Sequence, residues 1–128
     1  TAAEMDIQII TRLAEDLPKV WFDPNQMKQV LINLVKNSLE AIENQGIITL
    51  TTFVRDGQVC LSVQDTGKGI APEIIADIFN PFFTTKKAGT GLGLAVINKI
   101  IEDHYGTITV ESVKGQGTTF TLHLPCRP

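Results

Sequence analysis

Three glycine clusters and one pair of asparagines are the residues of this 128-residue sequence whose types and spacing bear on chemistry. Asn33 and Asn37 stand four apart in a segment of helical periodicity. Their amide oxygens therefore project from one side and are hard ligands of the kind Mg2+ accepts. Taken alone, the stripe Gln29, Asn33, Lys36, Asn37 and Glu40 reads as a solvated helix face, although Asn is a mediocre helix former. The first cluster, Asp65-Thr66-Gly67-Lys68-Gly69-Ile70, directly follows a strand pattern. A carboxylate at a strand end accepts a hydrogen bond from an exocyclic amine such as that of adenine, and glycines let backbone approach a flat ring. A tight turn bearing an Asp is the competing reading. The second cluster, Gly89-Thr90-Gly91-Leu92-Gly93-Leu94, opens a helical pattern. Free N–H groups at a helix start, with no side chains in the way, make an anion site suited to phosphates. Its spacing is neither the dinucleotide-binding Gly-x-Gly-x-x-Gly nor a P-loop ending in Gly-Lys-Ser/Thr. The third cluster, Gly115-Gln116-Gly117-Thr118-Thr119-Phe120, lies between two strand patterns and by itself reads as a hairpin turn.

These residues need a scaffold, and its elements are written between them. Apolar runs at 5–13 and 19–22, on either side of Glu15-Asp16-Leu17-Pro18, predict a small β-hairpin. Asp23-Pro24-Asn25-Gln26 is a helix start, with Asp23 as cap, Pro24 in the first turn and Gln26 at the capping-box position. The helix is expected from Pro24 to Asn44, stopped by Gly46, with Met27, Val30, Leu31, Leu34, Ser38, Ala41 and Ile42 as its apolar stripe. Ile47–Val54 and Val59–Gln64 form a hairpin through Asp56-Gly57. A short helix over Pro72–Ile78 precedes an irregular stretch at 79–91, long enough to be functional. A helix over Leu92–His104 ends at Gly106, and strands Thr107–Ser112 and Thr118–Leu124 close the chain. Hairpins with helices gathered on one side predict an α+β, two-layer sandwich with a mixed, mostly antiparallel sheet.

Composition limits what such a chain does. Eleven Lys+Arg against fourteen Asp+Glu give a net charge of -3, which argues against nucleic acid as partner. At 43% hydrophobic the chain can build one core, and no run approaches a membrane span, so a single soluble domain over 1–128 is expected. Thr1 reads as a cut edge of something longer. Cys60 and Cys126 lack framework or metal spacing and are expected reduced, as in a cytoplasmic protein.

Taken together the segments resemble the catalytic and ATP-binding domain of histidine kinases, a branch of the gyrase, heat-shock-chaperone, histidine-kinase and mismatch-repair superfamily with the Bergerat fold. Asn33–Ile42 (NLVKNSLEAI) resembles the N box, Asp65–Ile70 the first glycine box and Phe79–Lys86 (FNPFFTTK) the F box. Gly89–Leu94 and Gly115–Phe120 resemble the second and third glycine boxes, so five motifs stand in family order across nearly the whole chain. The resemblance implies ATP and Mg2+ as cofactors. Asn37 matches the Mg2+-holding Asn, with Asn33 and Lys36 beside it. Asp65 matches the acceptor of the adenine amine, with Gly67, Gly69, Ile70 and Thr118 around the ring. Gly89, Thr90, Gly91, Leu92, Gly93 and Leu94 match the phosphate-contacting edge of a lid spanning Phe79–Ala88. In that mobile lid Phe79, Phe82 and Phe83 would be apolar anchors or switch points, and Thr84, Thr85 and Lys86 would face the nucleotide. Loop solubility is the competing role of Lys86 and Lys87, and Lys86 is assigned the phosphate. The short Thr-Thr-Lys lid is more like those of nitrogen-regulation and sporulation-type sensors than those of osmosensor-type kinases.

In the hydrolysing branches a Glu stands four residues before the Mg2+-binding Asn; here that position is Asn33, whose amide cannot take a proton from water. Asn33 and Lys86 are accordingly the expected catalytic pair for phosphoryl transfer rather than hydrolysis. His104 and His123 lack the setting of a phosphoacceptor and are expected to be structural. The resemblance therefore implies a partner: the kinase's own helical dimerisation and histidine-phosphotransfer domain, in cis or trans, with a response regulator downstream. It implies no direct membrane contact for this domain, whether or not the parent kinase is membrane-anchored. A stand-alone protein serine kinase of the anti-sigma-factor type and a non-catalytic nucleotide-binding module are the alternatives.

Overall fold

A computed structural model describes residues 6–80 and 92–126. The elements run β1 (Asp6–Arg12), α1 (Pro24–Ala41), β2 (Gln45–Arg55), β3 (Gln58–Asp65), α2 (Pro72–Ile75), α3 (Leu92–Asp103), β4 (Thr107–Val113) and β5 (Gly117–Pro125). The strands form one sheet in the order β1-β2-β3-β5-β4. All pairs are antiparallel except β1 with β2.

That parallel pair corrects the expected N-terminal hairpin. Residues 19–22 form no strand, and β1 instead lies beside β2, with Ile9 opposite Ile48. The reason lies in the cap that follows. Asp23 must reach the helix layer, where its carboxylate accepts from the Asn25 and Gln26 amides at 2.8 and 3.0 Å and opens α1. α1 then returns the chain to the sheet beside β1 and running the same way, the long connection that a parallel pair requires.

The far end of α1 also differs from expectation. The helix stops at Ala41, because Ile42 turns extended (φ -94°, ψ 129°) to bury its side chain in the core. Gly46 does not stop the helix; it lies inside β2. α2 is a single turn rather than the longer helix expected over Pro72–Ile78.

Strand register sorts the helix-covered face into rows. Leu50, Val63, Phe120 and Val110 lie side by side, as do Thr52, Leu61, Leu122 and Ile108. Met27, Val30 and Leu34 of α1 and Ile97, Ile100 and Ile101 of α3 pack on Val63, Phe120 and Leu122 as one cluster. Each such side chain contributes roughly 1.5–3 kcal/mol by leaving water. One further row, at the end of the sheet where β3 finishes, reads Ile48, Asp65, Thr118 and Ser112. It is the most polar row of this face, with three polar side chains against the single Thr52 of the other two rows.

Candidate nucleotide site

Asp65 is the last residue of β3 and is only 4% exposed, yet it carries a carboxylate. Burial pushes its carboxyl above the ordinary value of 3.8; the Gly67 amide, the Ser38 hydroxyl and the Thr118 backbone amide hold it partly back. The Gly67 N–H donates to Asp65 Oδ1 at 2.8 Å. Ser38 is equally buried, and its hydroxyl acts on the Asp65 carboxylate from beyond ordinary hydrogen-bond distance. A buried hydroxyl without a close partner beside a buried carboxylate is what a polar ligand or its bound water would complete. The residues present thus fit a nucleobase edge.

The loop after Asp65 is fastened on three sides. Thr66 binds β2 twice, its amide to Ile47 O at 3.2 Å and its hydroxyl from Ile47 N at 2.9 Å. The Lys68 amide donates to Ala41 O at the end of α1, at 2.9 Å. On the other flank Gly115 N donates to Lys68 O at 2.6 Å, and Ile70 N donates to Ser112 Oγ at 2.7 Å. These closures explain two glycines differently from the sequence reading. A Cβ at Gly67 would strike the Ala41 carbonyl, and one at Gly69 would strike Val113, whose carbonyl lies against it. Gly69 also has φ +73°, which favours glycine. Here their smallness lets protein backbone meet protein backbone, binding the first glycine box to the helix and to the β4–β5 hairpin.

α1 brings the N box to the same place. Ser38 touches the environment of Asp65, Asn37 precedes it half-buried, and Asn33 lies one turn earlier on the same side. Lys36 is exposed. The side chains of Ile70, Phe79 and Leu94 pack against the core, Phe79 edge-on to Phe120 with centroids 6.3 Å apart. Phe79 is thereby packed into the core. Leu92, Gly93 and Leu94 form the first turn of α3, as expected. Phe82, Phe83, Thr84, Thr85, Lys86, Lys87, Gly89, Thr90 and Gly91 lie outside the described residues.

The two histidines are occupied structurally. His104 Nδ1 pairs with Ile100 O at 2.7 Å, while its Nε2 accepts from the Asp23 amide at 2.9 Å. His123 lies on the opposite face of the sheet between Cys60 Sγ (3.4 Å) and Thr109 Oγ1 (3.1 Å). Both cysteines are free, and burial pushes the Cys60 thiol up, against an opposing pull from Arg55. Another concave surface, between Trp21, Phe22 and Tyr105, brings none of the sequence-derived site residues together.

Two residues of the site escape a reading by motif. Ser38 sits in the apolar stripe at core spacing and looks like a small core residue. Ser112 is a lone serine at a strand end, and only the β4–β5 register puts it beside Thr118. The signal for Ser38 was its adjacency to Asn37; for Ser112 there was none.

A helix-covered sheet whose polar row ends at a fastened glycine loop defines a nucleotide-binding α+β module. Residues 22–128 match the family of histidine kinase-, DNA gyrase B-, and HSP90-like ATPases, and the chain belongs to it. The sensor histidine kinase ZraS of Escherichia coli K12 is 47% identical over 124 residues, covering 97% of this chain and 27% of its own length. Sporulation kinase E of Bacillus subtilis is 43% identical over 123 residues, 95% of this chain and 17% of its own length. The chain thus spans about a quarter or less of these relatives. Among solved structures, the catalytic domain of histidine kinase ThkA has a TM-score of 0.84 at 41% identity, covering 95% of this chain and 82% of that one. Full-length ShkA in complex with AMPPNP has a TM-score of 0.82 at 34% identity, covering 94% of this chain and 26% of that one. The α+β two-layer class and the histidine-kinase type of ATP-binding catalytic domain therefore stand as expected from the motifs.

Proposed function

We propose that this chain binds Mg2+-ATP and transfers the γ-phosphoryl group to a histidine on a separate helical phosphoacceptor domain, in cis or in trans. A response regulator then takes the phosphoryl group. The observation that carries the reading is the buried Asp65 carboxylate, aligned by the Gly67 N–H and adjoining the helix that bears Asn37. The kinship with sensor kinases over almost the whole chain favours histidine over serine as the acceptor.

Each residue has a distinct task. Asp65 accepts from the adenine amine, and Thr118 stands beside it in the row. Asn37 would hold Mg2+, with Asn33 one turn away; a neutral amide oxygen is a hard donor of the kind that cation accepts. When bound, Mg2+ neutralises phosphate charge in the transition state. Asn33 orients without taking a proton, so water is not activated and the phosphoryl group is kept for the histidine nitrogen. That nitrogen attacks phosphorus, the bond to the bridging oxygen breaks, and ADP leaves. The N-terminal turn of α3 offers backbone N–H groups suited to the phosphates, and Lys86, Gly89 and Gly91 are assigned to the same phosphates from their motifs. The setting is cytoplasmic, where ATP is found, and no helix among the described residues is long and apolar enough to cross a membrane.

The test supplies γ-labelled ATP to the full-length parent kinase containing this domain. Acid-labile, base-stable label on the protein, lost with Asn37→Ala, is the expected result. Acid-stable phosphoserine on a partner would replace this reading with the serine-kinase one.

A further inference from the structure

The hydrogen-bond bookkeeping around Ser112 reaches beyond the motifs. Ser112 Oγ meets three groups: it accepts from Ile70 N at 2.7 Å, donates to Gly117 O at 3.0 Å, and lies 2.8 Å from Thr118 Oγ1. A serine hydroxyl has one hydrogen. A carbonyl can only accept, so the bond to Gly117 commits that hydrogen. The contact with Thr118 then closes only if Thr118 is the donor. Thr118 is 5% exposed and pairs directly with Asp65 across the sheet.

We propose that Ser112 is a positioning residue for nucleobase selection: by holding the Thr118 proton it makes Thr118 face the ligand solely as an acceptor. The proposal rests on the adenine reading of Asp65 above. Two neighbouring acceptors, the Asp65 carboxylate and Thr118 Oγ1, suit the hydrogens of an exocyclic amine or of a water bound to it. A base carrying a carbonyl at that position meets two lone-pair groups and no donor. Sites built around such pairing reject the mismatched analogue because buried polar groups are left unpaired. Without the Ser112 hydroxyl, Thr118 can rotate and donate, and rejection weakens. Ser112 also fastens Ile70, a structural duty that would change affinity for all nucleotides alike. The ratio of affinities separates the two duties.

The experiment titrates ATP and inosine triphosphate, which has a carbonyl in place of the amine, into the 128-residue chain with Mg2+. The wild type should prefer ATP by about 100-fold or more. Ser112→Ala should reduce that preference about 10-fold, and Ser112→Thr should keep it. Thr118→Val, which leaves the Ile70 and Gly117 bonds in place, should reduce the preference at least as much. In the Ser112→Ala/Thr118→Val double variant the loss should not exceed that of Thr118→Val alone. A Ser112→Ala protein with the wild-type ratio, whatever its absolute affinities, overturns the proposal, as do additive effects in the double variant. A wild type without preference for ATP, or an Asp65→Asn protein that retains it, overturns the adenine reading and the proposal with it.

Discussion

Two adjacent rows of the same sheet face do opposite work. Val63, Phe120 and Val110 lie under the helices as ordinary core. Two residues further along the strands, about 7 Å away, Asp65, Thr118 and Ser112 occupy equivalent positions in the same register. Asp65 and Thr118 are nearly as buried as their apolar counterparts, at 4% and 5% exposed against 0% for Val63 and 3% for Phe120. In one row burial stabilises the fold; in the other it disfavours a charge and is offset only in part by the Gly67, Ser38 and Thr118 contacts. The fold therefore carries a locally costly row at one end of a well-packed sheet. Binding a ligand that supplies the missing donors is the evident return for that cost.

The largest effect should come from the apolar side. Leu122→Ala, two steps from the polar row, should cost about 2–5 kcal/mol of unfolding free energy in urea. It should leave the ATP affinity of the folded protein within about 2-fold. A large affinity loss without a stability loss would erase the distinction between the rows. Next, Asn37→Ala should weaken Mg2+-dependent ATP binding about 10–100-fold, measured by titration with and without the metal. An unchanged metal dependence would remove Asn37 from the site.

A smaller effect follows from the buried carboxylate. Asp65 has its folded-state value raised, so the folded protein holds this proton to higher pH than the unfolded chain does. Stability from this group falls as pH rises from the ordinary 3.8 through the raised value, and the ionised form is a burden above it. Asp65→Asn should then raise the melting temperature of the nucleotide-free chain by about 2–5 °C at pH 7. The gain should shrink toward pH 4, and a gain that grew on acidification would contradict the sign of the shift. The smallest effect belongs to Ser38→Ala, which removes one of the three groups that hold the Asp65 carboxylate, the one without a short hydrogen bond to it. It should leave stability within about 0.5 kcal/mol and weaken ATP binding only about 2–5-fold.

The same contrast explains what could be read in the sequence. The β2–β3 hairpin was legible because Asp-Gly and alternation are local, and α1 began where Asp23 and Pro24 placed it. Asp65 and Asn37 were each ambiguous by local pattern and stood out through the glycine box and N box that contain them. Ser38 and Ser112 did not, since a small residue in an apolar stripe and a serine at a strand end are each unremarkable until the register brings them together. The pairing of β1 with β2 was invisible for a related reason. It depends on where α1 returns the chain, and nothing within 5–22 encodes that. The smallness of Gly67 and Gly69 was legible but not what it admits, which in the structure is the backbone of Ala41 and Val113.

The central claim is that the polar row is the base-binding end of an ATP site. It is tested most directly by calorimetric titration of Mg2+-ATP into the wild-type chain and into Asp65→Asn. The account predicts saturable binding to the wild type and an affinity lower by about 10–100-fold in the variant. Equal affinities would contradict it.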